Sequence, residues 1–126
     1  HCVDDPASPL YNRIVKESDF KVPASGLWKS SEQMKRKDDL YKWLVVVGYN
    51  MKEPTPGAGS CIFMHIWRSP GKETTGCTAT AEKDIVEIIR WLKVEDNPVL
   101  AQMPLAVYKE HWEKWQLPAP ELLAGS

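Results

Sequence analysis

Cys77 and His65 are the residues whose types and setting best suit covalent chemistry in this chain. A cysteine nucleophile needs a thiolate, a base within reach and donors for an oxyanion. Cys77 follows Gly76 in the run Thr74-Thr75-Gly76-Cys77-Thr78-Ala79. A glycine there permits close backbone approach and unusual dihedrals, which suits an oxyanion hole made from the adjoining amides. A helix expected a few residues further on would lower the thiol pKa through its dipole and oriented amides. His65 lies inside Ser60-Cys61-Ile62-Phe63-Met64-His65-Ile66-Trp67, out of keeping with its apolar neighbours. Burying an imidazole costs free energy unless it is hydrogen-bonded. The plain alternatives are a structural cysteine beside a turn glycine and a satisfied core histidine. Against them stands the Pro-Gly loop between the two residues, which can fold a helix start back to a strand end and bring base and thiol face to face.

Rival chemistries have fewer residues. A zinc site would draw on Cys61, His65 and Cys77, and the chain has no Cys-x-x-Cys or His-x-x-x-His pair. A serine triad lacks the Gly-x-Ser-x-Gly elbow. His111, with Lys109, Glu110 and Glu113 around it, reads as a surface residue. Three cysteines leave an odd count; in an oxidising compartment this suggests one disulfide and one free thiol, and Cys2–Cys61 is the pairing that spares Cys77. Two unpaired buried cysteines are the other reading.

The elements that must position these groups follow from periodicity and breakers. Residues 1–30 read as an irregular arm, with turn signals at Asp5-Pro6, Ser8-Pro9, Val22-Pro23 and Ser25-Gly26, and short extended pieces around Tyr11–Val15. Asp4, Asp5, Tyr11 and Asn12 can line a site or form ordinary Asx turns. A short helix is expected from Ser30 or Ser31 to about Lys35, capped by serine. Leu40–Asn50 reads as a strand buried on both faces, because Trp43-Leu44-Val45-Val46-Val47 is nearly continuous and apolar. Met51–Ser60 is a loop, and Cys61–Trp67 a second buried strand, antiparallel to the first because a single loop joins them. Arg68–Thr75 is a surface loop. Ile85, Ile88, Ile89 and Leu92 mark one buried helix face, with Thr80 as N-cap and Glu82 and Asp84 at the positive end. A third short strand over Val99–Gln102 and a helix from Pro104 to about Gln116 follow. The tail over residues 117–126 reads as frayed, with Ala124-Gly125-Ser126 an addition to the natural chain.

Composition bounds the function. At 126 residues the chain is expected to be a single domain, 1–126. A formal net charge of −1 argues against a nucleic-acid binder that works by neutralising phosphates. The basic run Lys35-Arg36-Lys37 is followed at once by Asp38-Asp39 and reads as a solvated face. No stretch approaches the ~18 apolar residues of a membrane helix. The chain opens at His1 rather than Met, which suggests that an upstream segment has been removed and allows export. Oligomeric state is not legible.

With these residues in view, the segment resembles the catalytic motif of the YkuD-type L,D-transpeptidases, bacterial cell-envelope cysteine enzymes with a mainly β catalytic fold. Their pattern is a strand histidine, a loop, then Ser/Thr-x-Gly-Cys, matched here by His65 and Thr74-Thr75-Gly76-Cys77 over roughly residues 40–103. Thr75 and Ala79 replace the second histidine and the arginine of the commonest form, Ser-His-Gly-Cys-x-Arg; this spelling is similar to a divergent, YafK-like branch reading Ser-x-Gly-Cys-x-Ala. The family's His-Gly is also absent, since Ile66-Trp67-Arg68 follows His65. The resemblance implies an α+β fold with a β-sheet core, a helix after the catalytic cysteine and a C-terminal helix. It also implies an extracytoplasmic or periplasmic setting, no cofactor, and peptidoglycan stem peptides as partner. Cys77 would attack an L,D peptide bond, His65 would act as base and acid, and Gly76, Cys77 and Thr75 would bind the oxyanion. Arg68 and Lys72 would meet substrate carboxylates, and Trp67, Tyr49 and Asn50 would line the cleft. An amine acceptor gives transpeptidation and water gives hydrolysis, as in an L,D-carboxypeptidase or another cysteine hydrolase of the same fold. A non-catalytic peptidoglycan-binding module is the alternative from another class.

Overall fold

In the computed structural model, which describes residues 1–123, β4 (Phe63–Ile66) is the middle strand of a three-stranded sheet. On one side β3 (Leu44–Val46) runs antiparallel to it, with Leu44 opposite His65 and Val46 opposite Phe63. On the other side β5 (Thr78–Thr80) runs parallel to it, with His65 opposite Ala79 and Ile66 opposite Thr80. The antiparallel pairing is the one expected from the loop over residues 51–60. The parallel strand was not expected. Parallel neighbours usually need a crossover of about a dozen or more residues, most often helical; here the loop over residues 67–77 makes that crossover. Trp67 prolongs the ladder by donating its amide to the Thr80 carbonyl at 2.8 Å.

The first strand is shorter and less buried than its sequence suggests. Asp38 caps the amide of Leu40 and starts a 3₁₀ turn over Asp39–Tyr41, which uses up the front of the apolar run. Leu44 and Val45 are half-buried, while Trp43 and Val46 are each 41% exposed, so the strand is not covered on both faces.

A second, two-stranded sheet pairs β1 (Cys2–Val3) with β2 (Ser31–Glu32) antiparallel. The helix expected from Ser30 or Ser31 to Lys35 is therefore absent at its first turn. Ladder bonds to β1 satisfy these backbone groups instead, and a one-turn helix is too short to compete. Residues 1–30 are also better ordered than an irregular arm: Cys2 bridges Ile14, and Val3 exchanges backbone bonds with Asn12 and Arg13. A disulfide joins Cys2 to Cys61 and leaves Cys77 free, which is the pairing that spares the thiol. Around it lies the main apolar cluster, Cys2, Cys61 and Phe63, with Met34, Tyr41, Leu44 and Cys77 packed against them.

α1 (Glu82–Trp91) packs against β4 and buries Ile85 completely. Its N-cap is Ala81, not Thr80, because Thr80 is the last residue of β5. Glu82 and Asp84 do stand in its first turn, where they complement the positive end.

The chain divides into two compact units, residues 1–96 and a smaller one from Asn97 onward. In the second, α2 covers Leu105–His111 with Pro104 as N-cap. Its C-cap is Trp112, and turns continue beyond it as far as the expected end: Gln116 takes a left-handed φ of 55° and the Leu117 amide closes back on the Trp112 carbonyl at 2.8 Å, a Schellman-type ending. Residues 99–102 are irregular rather than a strand, and neither sheet takes them in. Pro120–Leu123 form a 3₁₀ turn, so the frayed tail is not borne out there; Ala124-Gly125-Ser126 lie outside the described residues. The described residues thus make a small α+β fold with two sheets and two helices.

Candidate active site

Alternation along a strand puts Phe63 and His65 on one face of β4. The β4–β5 register carried back one residue sets Cys77 beside Phe63, and Ala79 lies beside His65. Cys77 and His65 are therefore diagonal neighbours on one sheet face, and both line a cleft of about 350 Å³. Of the expected substrate contacts, Arg68 and Lys72 reach this cleft, as does Thr75.

His65 is buried at 7% exposure, and its Nδ1 is 2.8 Å from the carbonyl oxygen of Ile66. A carbonyl only accepts, so Nδ1 carries the proton and Nε2 is the basic nitrogen. That bond offsets the cost of burying the ring. Cys77 is half-buried, and its thiol donates to the Cys61 carbonyl at 3.6 Å. Burial pushes the thiol pKa up from its ordinary value, the Phe63 amide aimed at the sulfur pulls it down, and the Glu32 carboxylate adds to the rise. This overturns the expected lowering. Burial decides the direction, because Cys77 stands ahead of the N-cap Ala81, outside the first turn of α1 where the dipole acts.

Gly76 has φ +135°, a conformation that L side chains rarely adopt, so its glycine is required by backbone shape and not by crowding. Its amide faces Thr74 Oγ1 at 3.4 Å, and that hydroxyl donates to the Cys77 carbonyl at 2.5 Å. Thr74 thus braces the turn, a role that its sequence context does not signal.

Three expected cleft residues are placed elsewhere. Asn50 closes its own loop: Nδ2 donates to the carbonyls of Thr55 and Gly59, and Oδ1 accepts the Thr55 amide. Tyr49 packs its ring over Gly59, where an added Cβ would come within 3.2 Å of the ring. Trp67 pairs with Thr80 in the ladder. None of the three is among the residues lining the cleft of His65 and Cys77. Asp5 and Asn12 are also structural: Asp5 accepts the amides of Ala7 and Lys29, which lower its pKa, and Asn12 binds backbone on two other segments.

The cleft also contains Glu32, Arg36 and Tyr41, which sequence reading did not select. Tyr41 donates its hydroxyl to Glu32, and its ring centroid is 5.1 Å from that of His65. Burial and the neighbouring Glu32 carboxylate raise the Tyr41 pKa far above its ordinary value. The three are close in sequence, but only folding brings them against His65, so no local sequence signal marks them as site residues. On the far side of Cys77, a second cleft of about 530 Å³ is lined by Asp4, Ser31, Glu32, Ser60 and Gly76 among others.

Fold and site together define a small α+β protein with a thiol and an imidazole on one sheet face. No family model, curated protein or solved structure matches the chain. Among the described residues no group of three or more His, Cys, Asp or Glu could hold a metal ion, and Cys61 is taken by its disulfide. No helix among them is long and apolar enough to cross a membrane.

Proposed function

We propose that this protein is a cysteine acyl-transfer enzyme of the YkuD-like, L,D-transpeptidase kind, acting on peptidoglycan stem peptides. The observation that carries the reading is the shared cleft of Cys77 and His65, with Nε2 of His65 left as the basic nitrogen. Nε2 takes the Cys77 proton, the thiolate sulfur bonds to the carbonyl carbon of an L,D peptide bond, and the C–N bond breaks. The leaving amine departs with the proton from His65, and a thioester remains on Cys77. An amine acceptor then yields a new peptide bond, while water yields hydrolysis. Arg68 and Lys72 in the same cleft suit the carboxylates of such peptides. The Cys2–Cys61 disulfide favours an oxidising, extracytoplasmic compartment.

Mass spectrometry of the protein mixed with a tetrapeptide muropeptide tests this directly. An acyl adduct on Cys77, absent in Cys77→Ala, is the expected result, and the released products show whether amine or water accepts. The thiol's bond to the Cys61 carbonyl rather than to His65 favours a second reading, a peptidoglycan-binding module without turnover. Muropeptide binding with neither adduct nor product would select that module and reject the enzyme.

A further inference from the structure

The polar groups that hold the Tyr41 ring, Glu32 and Arg36, are themselves tied down. Its hydroxyl is bonded to Glu32 on β2, and β2 is paired with β1, whose Cys2 is fixed by the disulfide. Its ring meets Phe63 edge-on at 5.9 Å, and the Arg36 guanidinium lies 5.1 Å from its centroid. Arg36 in turn is held by two 2.7 Å bonds to Asp38. The ring so fixed stands 5.1 Å from the His65 imidazole, tilted by 60°.

Among the described residues the His65 imidazole makes one hydrogen bond, Nδ1 to the Ile66 carbonyl, which leaves it one hinge, because the outer torsion of histidine is broad rather than staggered. A base works only if its accepting nitrogen stays directed at the proton it takes. We propose that Tyr41, pinned by Glu32, is the positioning residue of His65: it closes the remaining torsional freedom and keeps Nε2 directed into the Cys77 cleft. This rests on the enzymatic reading above. The contact that carries the role is the one between the Tyr41 ring and the imidazole, so it acts through His65.

The test reads the ring as well as the rate. Long-range ¹H–¹⁵N spectra of His65 report which nitrogen carries the proton. Wild type shows the Nδ1–H form. Tyr41→Leu, which removes the ring, populates the Nε2–H form and lowers kcat by about 10- to 100-fold with KM nearly unchanged, since misplacement by about an ångström has that effect. Tyr41→Phe keeps the ring and loses the Glu32 bond, and falls between wild type and Tyr41→Leu in both readouts. A Tyr41→Leu spectrum and kcat equal to wild type overturn the proposal. If Tyr41→Leu does not fold, Tyr41→Phe decides: a spectrum and kcat equal to wild type overturn it. If wild type forms no thioester, the functional reading fails by itself, and the ¹⁵N spectra of the variants still decide whether Tyr41 holds the ring.

Discussion

Asn12 is 1% exposed, and its side-chain amide is used wholly on backbone. Nδ2 donates to the carbonyls of Tyr49 at 3.1 Å and Asn50 at 2.7 Å, and Oδ1 accepts the Cys61 amide at 2.9 Å. It also sits at φ 58°, a left-handed position that asparagine tolerates better than most residues. Asn12→Ala would orphan buried backbone groups and strain the turn together. A loss of about 3 kcal/mol in urea unfolding is expected, since each buried group left unpaired costs about 1–3 kcal/mol; Asn12→Gly should recover only the smaller, backbone part. A loss below about 1 kcal/mol would show that water or a shifted loop replaces the clamp. At this scale Cys77 and His65 were legible because their types are rare and out of place in their runs. Asn12 was legible only as a polar turn residue, as its three partners lie 37 to 49 positions away in sequence. Glu32 and Tyr41 bond to each other nine positions apart, and what hid them is that only folding sets the pair against His65.

The elements around the site are short, and the disulfide compensates for that. β1 and β2 have two residues each, too few for an independent sheet, yet Cys2 and Cys61 tie β1 to the segment that enters β4. Cross-linking across a separation of 59 residues limits the unfolded chain, and a stabilisation of about 4 kcal/mol is the entropic expectation. Reduction in a Cys77→Ala background, which prevents exchange with the free thiol, should lower the urea midpoint by the equivalent of about 2–5 kcal/mol. An unchanged midpoint would mean that the apolar cluster alone fixes β1. β4 and α1 could be read from sequence because local periodicity specifies them. β5 could not, since Thr78-Ala79-Thr80 gains its strand identity only from pairing with β4. That omission moved the N-cap of α1 from Thr80 to Ala81, while the sign of the Cys77 shift was missed because burial of the thiol is set by packing that no local pattern shows.

Across the molecule, those shifts set opposing demands on pH. Cys77 and Tyr41 both hold their protons more tightly than in an unfolded chain, where Cys titrates near 9.0 and Tyr near 10.0. Above pH 9 the folded state therefore binds more protons than the unfolded one, and the unfolding free energy falls as pH rises, first through Cys77 and then through Tyr41. Asp38 acts with the opposite sign: Arg36 holds it at about 2 against an ordinary 3.8, so its contribution is present above pH 3.8 and lost as pH falls toward 2. It is exposed, and screening keeps that contribution small. Urea midpoints should thus fall between pH 9 and 11, and Cys77→Ala combined with Tyr41→Phe should flatten that limb. The proposed acyl transfer would run the other way, since the raised thiol forms more thiolate as pH increases. The rate of thioester formation should climb between pH 7 and 9 and then drop where the fold itself weakens. A rate already level at pH 7 would mean that the resting thiol pKa does not limit the reaction.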